Sequence, residues 1–204
     1  MFLLPALYLA ACSTDPEPLT CAEGELLDGD ACIPEVCGTG TWGDLQTDSD
    51  TLYVSAAADA DGDGSRDRPF PTIQQGLDAQ DEPAMVAVAA GTYVENLQMT
   101  GDHKGAHLAG RCRELVTIDG SAGTEDNHET GSGIFLYGPG LHDSWTVSGL
   151  TLTGAPWAGI LVGHGSLALE RVSATHNGRI GLDIEFGNLD AVDCVVRDNL
   201  SAGV

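Results

Sequence analysis

From Trp145 onward, apolar residues alternate with polar ones in short runs, and the runs recur every 22 residues. Set beneath one another, 145–166, 167–188 and 189–204 align Trp145, Leu167 and Leu189, then Val147, Leu169 and Ala191. Leu150, Val172 and Cys194 share a column, as do Leu152, Ala174 and Val196. Gly159, Gly181 and Gly203 fall together, followed by Ile160, Leu182 and Val204; Asn177 and Asn199 stack, with Ala155 before them. A period-2 alternation is a strand with one buried face, and a fixed longer period marks a stacked architecture. The segment therefore predicts coils of strand, turn and strand piled into a solenoid. A β-sandwich also has short, turn-bounded strands, but hairpins would not keep one column register through successive repeats.

Upstream the pattern changes. Tyr53-Val54-Ser55 reads as a strand, followed by an acidic loop from Asp59 to Arg68. Pro69-Phe70-Pro71-Thr72-Ile73-Gln74-Gln75-Gly76-Leu77-Asp78-Ala79 places Ile73 and Leu77 four apart, on one face of a short helix, with Thr72 as N-cap. Met85–Ala89 alternates as a strand, a Gly91 turn follows, and Val94–Leu97 reads as a second strand. This order (YVS, acidic loop, PFPTIQQGLDA, VAVAAGTYVEN) resembles the opening module of right-handed parallel β-helix proteins of the pectin-lyase-like superfamily, over about residues 53–97. The resemblance implies an all-β, right-handed parallel β-helix of about five coils, with the short helix capping the first coil and hiding its open backbone edge. Coils before Trp145 are less regular: Gly133-Ile134-Phe135-Leu136 meets the Gly159 column only after a four-residue insertion, and Ala122–Ser132 reads as a protruding loop.

Charge narrows the function. The chain has 31 acidic residues against 8 Lys and Arg, a formal net charge of −23. That excludes nucleic acid, whose phosphates require clustered cations, and electrostatic docking on anionic lipid. Residues 1–65 hold 13 of the acids and none of the bases, so the chain divides near 50–65. Met1–Ala11 is apolar but shorter than the roughly 20 residues a span needs. Leu9-Ala10-Ala11-Cys12 resembles the lipobox of bacterial lipoproteins, although no Lys or Arg precedes the run. The resemblance implies a signal peptide over 1–11, lipidation of Cys12, and, from Ser13, sorting to the outer membrane and cell surface. Residues 12–20 are then a tether, 21–50 a small Cys-rich module and 51–204 the β-helix. With Cys12 lipidated, five cysteines remain. The favoured pairing is Cys21 with Cys32 and Cys37 with Cys112, leaving Cys194 free; zinc is the alternative, but no CxxC knuckle is present.

Candidate chemistry is sparse. Asp59, Asp61, Asp63, Gly64 and Asp67 occupy positions 1, 3, 5, 6 and 9 of a DxDxDG calcium loop, with Ser65 between them. Phe70 stands where a bidentate Glu should close the site, and Arg66 and Arg68 reduce its charge. The competing reading is a solvated surface loop. Gly163-His164-Gly165 and Arg179-Ile180-Gly181 resemble two polygalacturonase motifs, but that family's paired-aspartate motifs are missing. His164 shares a column with Phe186 and is expected to pack inward or at a turn. Asp183 and Glu185 flank Ile184; with Leu182, Ile184 and Phe186 inside, both carboxylates face out with their Cα atoms about 6.6 Å apart. That separation could suit an inverting glycosidase, or the pair is simply a solvated face. His103, His107, His128 and His142 form no evident ligand cluster. The expectation is a cell-surface lipoprotein whose β-helix serves a structural or carbohydrate-recognition role, with a polysaccharide lyase or glycoside hydrolase as the alternative. Val196 and the last coil, without a polar cap after Gly203-Val204, predict an exposed edge able to pair with another chain.

Overall fold

The computed structural model describes residues 20–201 except 23, 81, 104, 141 and 142. The expected lipidation site Cys12 and the expected signal peptide, His142 and Gly203-Val204 lie outside them. Two short strands, β1 (Glu25–Asp28) and β2 (Ala31–Pro34), form an antiparallel hairpin. Every other pairing between strands is parallel among the described residues.

β3 (Leu52–Val54) leads into helix α1 (Ile73–Asp78), whose N-cap Thr72 accepts a hydrogen bond from Gln75 N. Then come β4 (Met85–Val88), β5 (Gly91–Val94) and β6 (Leu97–Thr100). The second strand expected over Val94–Leu97 is instead a corner between two strands. Its polar residues explain the break. Glu95 accepts from the N–H groups of Ile73 (2.9 Å) and Gln74 (3.0 Å), and Asn96 donates to the carbonyls of Gly120 and Ser132. The Gln74 side chain in turn takes the N–H of Gln98 (2.9 Å) and reaches its carbonyl (3.3 Å), as a neighbouring strand would. Thus the TIQ and GTYVE segments fit because each supplies hydrogen bonds that the other lacks.

β7 (His107–Gly110), β8 (Val116–Asp119) and β9 (Ile134–Tyr137) repeat this triplet. β10 (Ser144–Ser148), β11 (Thr151–Thr153) and the first part of β12 (Ala158–Glu170) repeat it again. The rest of β12, with β13 (Ser173–Thr175) and β14 (Ile180–Ile184), makes the next coil, and β15 (Gly187–Val192) and β16 (Val195–Arg197) follow. Each complete coil gives one strand to each of three parallel sheets. The first runs β3-β4-β7-β10-β12-β15, the second β5-β8-β11-β13-β16, and the third β6-β9-β12-β14. The 22-residue register holds residue by residue: Trp145 pairs with Leu167 and Leu167 with Leu189, Leu152 with Ala174 and Ala174 with Val196.

Inside the coils lies one continuous core, including Leu97, Leu108, Ile118, Leu136, Leu152 and Ile160, all fully buried. Asn177 closes a corner: its Oδ1 accepts from Ala155 N, and Asn199 does the same for Asn177 N one coil later.

The N-terminal module packs on the outside of the first sheet. Disulfides join Cys21 to Cys32 and Cys37 to Cys112, and Cys194 is free. The buried Arg111 guanidinium clamps the module, donating to Asp28 (2.6 Å), Gly38 O (2.7 Å) and Cys37 O (3.2 Å). Its bond to Asp28 lowers that carboxyl's pKa.

Candidate functional site

Alternation along the third sheet sends one set of side chains outward. Gln98, Phe135, Leu161 and Asp183 stand in register from β6 through β9 and β12 to β14. Phe135, Leu161 and Ala158 are buried on this outer face and packed by Trp157 and Ile180, so a second apolar cluster lies outside the coil. The loop between β8 and β9 covers part of it. Rather than protruding, this loop lies along the coils: Glu129 O accepts from the Gln98 amide, and Gly131 O accepts from Trp157 N.

Beyond the cluster the rings become accessible. Tyr137 pairs with His164 across a register shift at Gly163, and their rings lie 6.2 Å apart. Phe186 occupies the same place one period later. Tyr137 is 50% exposed and Phe186 65% exposed, so this column presents aromatic surface along the coil axis. Phe186 was expected inside with Leu182 and Ile184. The strand ends at Ile184, and beyond it the alternation no longer governs. Gly163 makes room for the column: a Cβ there would lie 3.2 Å from the Tyr137 ring and 3.4 Å from that of Phe135.

Asp183 and Glu185 lie at the end of the same face, both outside the core. His128 of the covering loop brings Nδ1 to 3.7 Å from Glu185 Oε1, and its ring meets Trp157 edge-on at 5.8 Å. The Arg179 guanidinium stacks 3.8 Å over the Trp157 ring, a cation–π contact that fixes both side chains. Aromatic rings, two carboxylates and a histidine are therefore gathered on one outward face. Sequence reasoning singled out Asp183 and Glu185 and missed Tyr137, whose alignment with His164 is hidden by the irregular spacing of the earlier coils.

In the acidic loop a guanidinium stands among the carboxylates. Arg68 donates to Asp61 Oδ2 (3.1 Å), to the Asp61 carbonyl and to Asp63 Oδ2 (3.0 Å), so a guanidinium holds these carboxylates together. The Asp63 carboxyl is held below its usual pKa by bonds from Ser65. Gly64 has φ +79° and lies against Phe70, where any side chain would collide with the ring. Among the described residues, the only group of three or more His, Cys, Asp and Glu ligand atoms within 4.8 Å of one another is that of Cys37, Cys112 and Glu114. The first two form a disulfide. His103 instead pairs with Asp78 at 3.3 Å.

No protein-family model matches the chain, and no curated protein sequence matches it. Solved structures do. Pectin methylesterase PemA from Erwinia chrysanthemi superposes with a TM-score of 0.53 at 17% identity, covering 74% of this chain and 49% of that one. The pectin methylesterase from carrot gives a TM-score of 0.51 at 18% identity, covering 74% and 53%. A pectin methylesterase mutant in complex with a hexasaccharide gives 0.50 at 16%, covering 74% and 49%. The chain thus spans about half the length of these structures, and at such identities the likeness is one of fold alone: a right-handed parallel β-helix.

Proposed function

We propose that this chain is an exported, lipid-anchored surface protein whose β-helix recognises a neutral polysaccharide along the outer face of its third sheet. The observation that carries this reading is the column of Tyr137, His164 and Phe186, in which the rings of Tyr137 and Phe186 are exposed along the coil axis. Sugar rings present apolar C–H faces that stack on aromatic side chains, while their hydroxyls bond to carboxylates such as Asp183 and Glu185. A long solenoid face suits an extended chain ligand. The solved structures of similar fold include one bound to a hexasaccharide. A net charge of −23 disfavours polyuronates, which are themselves anionic, and favours uncharged glycans.

Cys12 would carry the lipid and residues 12–20 the tether, with helix α1 capping the first coil. The acidic loop would take calcium at Asp59, Asp61, Asp63, Ser65 and Asp67. Arg68 would have to leave Asp61 and Asp63 first, so binding is expected only at about millimolar concentration.

The second reading is a glycoside hydrolase or lyase, favoured by His128 standing 3.7 Å from Glu185 beside Asp183. A glycan array with parallel cleavage assays, with and without calcium, tests both. Binding to neutral glycans without cleavage supports recognition. Cleavage lost in Asp183→Asn or Glu185→Gln supports the enzyme, and binding to polyuronates alone contradicts the proposed specificity.

A further inference from the structure

Where the N-terminal module meets the first sheet there is a cleft of about 200 Å³. Asp44 and Leu45 of the module form one side, and Ser148 and Gly149 at the end of β10 form the floor. Arg113 and Arg171, two of only 8 Lys and Arg in the chain, line it together with Glu114 and Asp193. The Cys37–Cys112 disulfide and the Arg111 clamp fix the module in place and therefore fix the shape of the cleft.

Ser148 does not stand alone on that floor. Its Oγ is 2.9 Å from His107 Nε2, which reaches it from β7 in the coil below. On the opposite side Glu170 of β12 pairs directly with Ser148 across the sheet. A serine hydroxyl within hydrogen-bond reach of an imidazole nitrogen is the arrangement that activates an oxygen nucleophile. We propose that Ser148 and His107 form a nucleophile–base pair that hydrolyses esters of short carboxylic acids bound in this cleft. The site is separate from the aromatic column and does not depend on glycan recognition there.

The groups around the pair fit the steps. Burial pushes the His107 pKa down, which keeps the imidazole neutral near pH 7 and able to take a proton. The Glu170 charge acts the other way and favours the imidazolium once it forms. In the first step Ser148 Oγ attacks the acyl carbon while its proton passes to His107 Nε2. The ester C–O bond then breaks and the alcohol leaves with that proton. Water attacks the acyl-serine in the same way, releasing the carboxylic acid and restoring the serine hydroxyl. The developing oxyanion needs donors. Arg171 spends Nη1 on Glu170 (2.8 Å), and Arg113 spends Nε on Glu114 and Nη1 on Asp193 O (2.9 Å each). Nη2 of both guanidiniums has no protein partner among the described residues and can turn toward the cleft. Its volume admits an acetyl group more readily than a long acyl chain.

The experiment treats the full chain with a fluorophosphonate, maps the adduct by mass spectrometry, and measures hydrolysis of p-nitrophenyl acetate. The proposal expects one adduct, on Ser148. It also expects ester hydrolysis at least about 10²-fold above that of His107→Gln, the usual scale of general-base assistance. Ser148→Ala should lose both adduct and turnover while melting like the parent. His107→Gln retains a hydrogen-bonding partner for Ser148, so a fall in rate there reports proton transfer and not packing. Absence of labelling at Ser148 in the folded parent, or equal hydrolysis by parent and Ser148→Ala, would overturn the assignment.

Discussion

Among the described residues between Cys21 and Asp44 only Ile33, Cys37 and Trp42 are buried apolar residues, whereas nearly every inward position from Val86 to Leu182 is closed to solvent. The module has too little apolar surface to hold a structure by burial. It relies on two disulfides and on Arg111, whose guanidinium reaches three acceptors in the segment. The coils need no such staples, because each strand finds its hydrogen bonds in the neighbouring coil and its apolar side in the shared interior. One chain therefore combines a covalently held module with a core-held solenoid, and the two should fail under different treatments.

The largest effect should come from the solenoid interior. Leu136→Ala removes a fully buried side chain and should cost about 3–4 kcal/mol in denaturant unfolding. Leu27→Ala in the module, where the side chain is half exposed, should change stability by less than about 0.5 kcal/mol. Equal costs would mean that the two regions are not built differently.

Replacing Cys37 and Cys112 together by serine should cost about 2–4 kcal/mol, since the bond closes a long loop. The loss should appear first as proteolysis between residues 38 and 50, with the coils still resistant. Simultaneous cleavage of both regions would instead make the module part of the coil's cooperative unit.

High pH separates the regions by another route. Tyr93 donates to Ala89 O (2.9 Å) and accepts from Ala56 N (3.1 Å), and burial pushes its pKa up to about 12. The folded state therefore keeps the phenol protonated after the unfolded chain, near pH 10, has begun to lose its proton. This contribution to stability is complete below about pH 10 and is lost between about 10 and 12. Chemical denaturation across that range should show the fall, and Tyr93→Phe, although less stable at neutral pH, should show a shallower one.

The smallest effect concerns the corners. His176 is exposed and has φ 57°, a conformation costly for a side chain. Removing that strain outweighs the added freedom of the unfolded glycine, so His176→Gly should stabilise by about 0.5 kcal/mol. A loss of stability in thermal unfolding would mean that the His176 side chain contributes contacts beyond its backbone.

These differences also explain what could be read from the sequence. The repeat was legible because inward residues obey alternation and stack one period apart, as Trp145 and Leu167 do. Alternation fails where a strand bends or ends. The shift at Gly163 brings His164 beside Tyr137, and the end of β14 frees Phe186, so the aromatic column was not visible as a pattern. The acidic loop shows a different gap. Its spacing matches a calcium ligand set, but Arg68 bonds back across seven residues to Asp61, a contact that no local periodicity encodes. The corner at Glu95 and Asn96 was likewise read as strand, because the helix and coil groups that those side chains satisfy are distant in sequence.

The central claim, glycan recognition by an aromatic column, is tested most directly by calorimetric titration of neutral oligosaccharides into the parent chain and into Tyr137→Ala with Phe186→Ala. Both residues are exposed, so the double variant should melt within about 1 kcal/mol of the parent. The account predicts measurable binding by the parent, reduced at least about tenfold in the variant, with polyuronate oligomers binding neither. Equal affinity in the two proteins, or binding to polyuronates alone, would contradict it.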